Sequence, residues 1–210
     1  MPYLRWSDWS PGLETDRMTL GAVLATLPGD EPQAIPDIIR KYENPASPDA
    51  LPGAVTLARH DCIHAMLGRG LRLQDEAFVI GYTMGAASDI TDDHLETFER
   101  VSVQEYPKPY TFTPDQLLAF RLGVGAALDM SPKTDIHLFP IEDHQGDLLR
   151  DLRARFHIQV AELRAYFRRE ELLLPGTRSS QRLDTSAARH DVHLTVPLGK
   201  SSDWKRDKKR

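Results

Sequence analysis

The run "AFVIGYTMGAA" at residues 77–87 constrains the fold more than any other part of the chain. It follows Asp75 and Glu76, two acidic residues of the kind that start helices. Read as a helix, it is apolar on every side, and such a helix is stable only when other elements surround it. It is too short to cross a bilayer, which takes about 20 apolar residues. It is therefore expected at the centre of a domain, and a chain of 210 residues is long enough to build one around it.

The neighbouring segments read as the helices that would do the surrounding. "DRMTLGAVLATL" is expected to form a first helix from Thr15-Asp16, stopped before Pro28-Gly29. "PQAIPDIIRKYE" places Ile35, Ile38, Ile39 and Tyr42 on one face. A third helix is expected from about Ala54 to Leu67, ended by Gly68 and Gly70. Asp92 is the expected cap of "DDHLETFERVSV". "EYPKPYTFTP" is an extended connection, and Pro114 opens the apolar helix "PDQLLAFRLGVGAALDM". Leu149, Leu152, Phe156, Val160, Leu163 and Phe167 recur at helical spacing, with a break expected near His157-Ile158. The expected fold is all-α, a single helical domain over residues 1–175. A mobile, polar, basic-ended tail over 176–210 follows, with "VHLTVPL" as a short strand candidate.

Charge and composition narrow the classes. Hydrophobic residues at 40% and charged residues at 27% are ordinary for a soluble chain. A net charge of -5 argues against nucleic acid as a partner of the body. The last eleven residues, "KSSDWKRDKKR", carry six Lys/Arg and two Asp, a basic end that suits a solvated tail or an anionic surface. Cys62 is the sole cysteine, so no internal disulfide forms. "MPYLRWSDWSPGLETD" has no apolar run with a cleavage site, so no secretory signal is expected. Trp6 and Trp9 fit either a membrane interface or packing onto the domain.

The chemistry concentrates in "RHDCIHAMLGRGLRLQDEAF". On a helix, His60 and His64 lie one above the other, and Asp61, three before His64, neighbours the same face. Glu76 begins the next helix, and a short link brings an antiparallel helix back over the pair. Two imidazoles with one or two carboxylates suit a divalent metal (Zn²⁺, Fe²⁺ or Mn²⁺), and Asp61 could instead orient a histidine from behind. The same residues also fit a plain helix that carries two histidines. A second group, His190, Asp191 and His193, sits in a stretch that looks extended, where successive side chains point apart. His94, His137, His144 and His157 stand alone and receive no role.

"HDCIH", eleven residues and then Glu76 resembles the His-Asp-x-x-His-x11-Glu motif of the fourth protein of the Coq series, a coenzyme Q (ubiquinone) biosynthesis family. "AMLG" after the second histidine and "DLLRDLRARFHI" further on look like the same family. The resemblance implies an all-helical protein with a metal held by His60, Asp61, His64 and Glu76, and an apolar site for a polyprenylated ring. It implies a metal-dependent decarboxylation of the ring at C1 with hydroxylation, a lyase-type activity, or a role in organising other enzymes. The helices at 77–87 and 115–130 would enclose the prenyl tail. The expected partners are a prenylated quinone precursor or another apolar ligand and a second copy of the chain. The expected place is the cytoplasm, with peripheral contact on the inner face of a membrane.

Two other classes remain. One is a non-catalytic lipid-binding scaffold with a structural metal. The other is a different metal enzyme, such as an HD-type hydrolase. That order needs a histidine upstream of the pair, and none precedes His60.

Overall fold

The computed structural model describes residues 6–28, 35–130 and 133–183. Among them the regular elements are helices: α1 (Leu20–Leu24), α2 (Asp37–Glu43), α3 (Leu57–Leu67), α4 (Leu73–Ala86), α5 (Asp92–Gln104), α6 (Pro114–Asp129), α7 (Leu149–Arg155), α8 (Val160–Leu173) and α9 (Ser180–Leu183). Short 3-10 turns stand at Trp6–Asp8, Ile136–Leu138 and Ile141–Asp143. The all-α expectation holds. No helix among the described residues is long and apolar enough to cross a membrane.

Helix α4 is central, as its all-round apolar surface requires. Phe78, Val79, Tyr82 and Ala86 face one core, shared with α3, α7 and α8. Ala77 and Met84 face a second core, shared with α2 and α5. Helix α6 divides in the same way, with Leu122 and Ala126 in the first core and Ala119, Phe120 and Val124 in the second. The two helices form a wall with a core on each side.

The wall is thin because its helices touch backbone to backbone. A Cβ at Gly81 would come within 2.1 Å of the Phe120 carbonyl oxygen, and one at Gly123 within 2.1 Å of the Phe78 carbonyl oxygen. At Gly85 the nearest atom would be the Val124 carbonyl oxygen, at 2.8 Å. Backbone atoms inside two helices cannot swing aside. At the crossing these helices fill the space between them with each other.

Local signals explain most element ends. Thr56 caps α3 through Oγ1, which accepts from Arg59 N at 3.3 Å. Gly68 ends α3 with φ +68, and Arg69 N then bonds back to the His64 carbonyl at 3.0 Å. Thr91, not Asp92, caps α5; its Oγ1 accepts from His94 N at 3.4 Å. The break between α7 and α8 is where it was expected. His157 has φ +54, Ile158 N donates to the Arg153 carbonyl at 2.8 Å, and the Ile158 side chain turns into the core.

Two spans differ from expectation. The first helix is shorter, because the chain before it pairs with a distant segment. Leu149 N donates to the Met18 carbonyl, Leu20 N to that of Asp147 and Gly21 N to that of Gln145. These bonds tie Thr19 and the start of α1 to residues 145–149, and α1 starts only after Thr19. The packed region also runs past 175. Ser179 and Ser180 are buried, and Arg182 pairs with buried Asp75, so the segment to Leu183 belongs to the domain. Residues 184–210, with "VHLTVPL", His190, Asp191, His193 and the basic end, lie outside the described residues.

Gly123→Ala tests the wall. A Gly-to-Ala change in a helix interior gains about 1 kcal/mol of propensity, but overpacking here costs about 3 kcal/mol. The expected outcome is a net loss of roughly 2 kcal/mol in urea unfolding. An unchanged or raised midpoint would mean that the helices do not meet this closely.

Candidate metal centre

The site is built where α3 and α4 meet. Helix α3 supplies His60 and His64 one turn apart, and their rings meet edge to face with centroids 4.6 Å apart. Helix α4 supplies Glu76 from its first turn. Gly68 lets the chain reverse in the short link, and Arg72 N donating to Asp75 Oδ2 at 3.3 Å fixes the start of α4. Glu76 is thereby returned over the histidine pair.

The donor atoms converge on one point. Nε2 of His64 lies 3.3 Å from Oε2 of Glu76, and Nε2 of His60 lies 3.5 Å from the same oxygen. One donor atom from each residue lies within 4.8 Å of the others. A charge-assisted N–H···O bond is shorter, about 2.7–2.9 Å. Two ligands about 2.0–2.1 Å from a shared ion at a tetrahedral angle stand roughly 3.3–3.4 Å apart. The observed spacing is nearer to that of two ligands than to that of a strong ion pair.

At this cluster Nε2 of His60 and Nδ1 of His64 are buried and make no hydrogen bond among the described residues. Unpaired buried polar atoms cost about 1–3 kcal/mol each, and a cation shared with Glu76 would satisfy Nε2 of His60. His64 is fully buried at the base, whereas the His60 and Glu76 side chains are 16% and 27% exposed. Access is therefore from the side of those two residues. Leu57, on the same helical face one turn before His60, is exposed there.

Asp61 is not part of the three-atom cluster. Its neighbour His60 and the later His64 share one face, and position 61 leaves the helix to the side of it. Burial pushes the Asp61 carboxyl up to about 6, with His64 lowering it and Glu76 raising it. The four expected residues thus divide into three converging donors and one flanking carboxyl.

The electrostatics suit a cation. Burial holds His60 down to about 4, against the pull of Glu76, so its ring is neutral and ready to donate a lone pair at neutral pH. His64 is raised despite burial, because Glu76, Asp61 and Asp75 all favour its charged form. Glu76 is lowered by the two histidines in spite of its own burial.

Sequence reasoning missed Glu43 and Tyr106. Glu43 is the last residue of α2, and Tyr106 Oη donates to its Oε1 at 2.6 Å. Burial and the charge of Glu76 push Glu43 up to about 7, although the bond from Tyr106 acts the other way. No spacing could reveal a pair 63 residues apart; the only hint was a carboxylate closing an amphipathic helix just before Asn44-Pro45.

No family model, no curated protein and no solved structure matches this chain.

In the metal-free protein the two histidines should titrate apart. His60, lowered from 6.5, supports the fold above that pH and loses its contribution as pH falls towards about 4. His64, raised from 6.5, contributes below that pH and loses its contribution as pH rises through its folded value. An NMR titration of the ring protons should show His60 with the lower midpoint and His64 above 6.5. Overlapping curves near 6.5 would exclude the arrangement.

Proposed function

We propose that this chain is a divalent-metal protein that binds, and acts on, a polyprenylated aromatic ring, as the coenzyme Q biosynthesis family does. The observation that carries the reading is the convergence of His60 Nε2, His64 Nε2 and Glu76 Oε2 at the register of the His-Asp-x-x-His-x11-Glu motif. His60, His64 and Glu76 would hold the ion, and Asp61 would tune His64 by its charge. A bound Zn²⁺, Fe²⁺ or Mn²⁺ supplies Lewis-acid stabilisation of negative charge on a ligand oxygen, as loss of a ring carboxylate needs.

The chain's own residues would do the rest. Buried His64 anchors the base, while His60 and Glu76 define the open side. Exposed Leu57 offers an apolar approach beside that opening. The donor set, two nitrogens and a carboxylate oxygen, favours Zn²⁺, Fe²⁺ or Mn²⁺ over the hard oxygen-only cations.

A second reading is a lipid-binding scaffold with a structural metal. It is favoured by the closed crossing of α4 and α6, which denies a prenyl tail the most obvious enclosed route to a reacting ring. Turnover separates the two.

The purified full-length protein, supplemented with Zn²⁺ or Fe²⁺ and dialysed, should carry close to one ion per chain by mass spectrometry. His64→Ala should abolish retention, and Glu76→Gln should weaken affinity at least about tenfold while helical circular dichroism persists. Loaded protein should release CO₂ from a prenylated 4-hydroxybenzoate-type acid. An empty wild-type protein would end the metal reading, whereas a loaded but inert one would leave the scaffold.

A further inference from the structure

Asp75 and Glu76 are neighbours in the first turn of α4 but face different parts of the protein. Successive residues of a helix stand about 100° apart around its axis. Glu76 turns to His60 and His64 on α3, whereas Asp75 is 1% exposed and turns to the segment that ends in α9. Ser179 Oγ donates to Asp75 Oδ2 at 3.1 Å, and Arg182 pairs with the same oxygen. That oxygen also accepts from Arg72 N at 3.3 Å, the bond that starts α4. Gln74 Nε2 donates to Ser180 Oγ at 3.0 Å. The side chains at 179, 180 and 182 thus close on positions 74 and 75, directly before Glu76.

We propose that Arg182 is a positioning residue of the metal centre. By holding Asp75 it fixes the rotation of the first turn of α4, and so keeps Glu76 Oε2 beside both imidazoles. This role rests on the metal-centre reading and adds to it a residue 107 positions away from Asp75 in the chain. Arg182 acts through Asp75 and the turn that Asp75 shares with Glu76.

Three features suit Arg182 to this work. It lies against the link between α3 and α4: its Nη1 donates to the Trp9 carbonyl at 3.0 Å, and a Cβ on Gly70 would come within 2.6 Å of that nitrogen. The guanidinium therefore bridges the link and the first turn of α4, the two pieces whose relative placement decides where Glu76 arrives. Next, Arg69 Nε lies 3.4 Å from Asp75 Oδ1 while Arg182 takes Oδ2. Each carboxylate oxygen has its own guanidinium, so Asp75 cannot turn without losing one. Finally, the first N–H groups of a helix have no partners within it, so its first turn is held mainly by what meets it from outside. Arg69 is wholly buried, but the Arg182 side chain is 21% exposed, so Arg182 can be replaced with the fold intact.

The test measures zinc affinity of the full-length protein by competition with a chelator, in a double-mutant cycle. Arg182→Ala should weaken zinc binding about tenfold, as loss of a group that orients a ligand does. Arg182→Lys keeps the charge and should recover part of the loss. In the Glu76→Gln background Arg182→Ala should weaken binding no further, because the group it positions is gone. A residue that serves stability alone would act equally in both backgrounds. Cobalt in place of zinc gives a second readout: Arg182→Ala should change the visible Co²⁺ spectrum in the same direction as Glu76→Gln. Ser179→Ala removes one donor to Asp75 and should weaken zinc binding by about threefold, again only while Glu76 is present; it decides the matter if Arg182→Ala does not fold. Wild-type affinity in these variants, or equal losses with and without Glu76, would overturn the proposal. A wild-type protein that takes up no zinc would instead bring down the metal reading, and this role with it.

Discussion

The buried guanidinium of Arg69 fixes the corner on which everything else rests. Arg69 has no exposed surface, and the loss of water from a charge costs several kcal/mol. It is offset by a two-pronged bond to buried Glu170 at 2.9 and 3.0 Å, by Asp75 at 3.4 Å and by the faces of Phe78 and Phe167. These partners come from α4 and α8, so α3 cannot pivot against α4 without leaving a charge unpaired inside the protein. Arg153 secures the same end of α3 from α7, donating to the carbonyls of Met66 and Ala65 at 2.8 and 3.4 Å and pairing with Asp16. Helix C-termini carry partial negative charge, and two buried cations near the C-terminal end of α3 complement it. The distance between the histidine pair and Glu76 is set by this corner, because Glu76 lies one residue past Asp75.

Helix α9 belongs to the same construction. Arg182 pairs with Asp75 and donates to the Trp9 carbonyl at 3.0 Å, and Ser179 Oγ donates to Asp75 Oδ2 at 3.1 Å. Ser180 meets Gln74, which in turn bonds Glu170. Asp75 is thus shared between two arginines that are far apart in sequence. The segment after Pro175 looks like tail because it is polar, but its polar groups are the missing halves of a buried network. Polarity predicts exposure only where the partners are absent, and here they stand in the first turn of α4.

What could be read in advance follows the range of the physics involved. Local rules located the helices: apolar runs for α4 and α6, apolar periodicity for α7 and α8, Pro114 for the start of α6, Gly68 for the end of α3. The histidine pair was legible for the same reason, since four residues on a helix is a local distance. Glu76 was within reach because one short link separates it from α3. Asp61 falls outside the converging cluster because one residue's rotation about a helix decides whether a side chain converges or flanks. The misplaced start of α1, the Arg69–Glu170 bond across 101 residues and the Glu43–Tyr106 pair depend on segments meeting across the fold, and no periodicity encodes those meetings. Arg69 was especially hidden, since an arginine between two glycines reads as an exposed turn.

The glycine crossing of α4 and α6 bears on what kind of ligand the site can take. The resemblance implied that these helices enclose a prenyl tail; at their crossing, glycines let the two backbones touch, so the space between them there is filled. The wall then has a different use. It restrains α4, because two of its faces are packed into cores and a third lies against α6. A carboxylate projected from the first turn of such a helix moves little, which keeps Glu76 Oε2 beside both imidazoles. The exposed apolar surface near the histidine pair is Leu57, not the wall. The apolar helices and the polar cluster are thus two parts of one device, in which close backbone packing supplies the stiffness that holds three donors on one point.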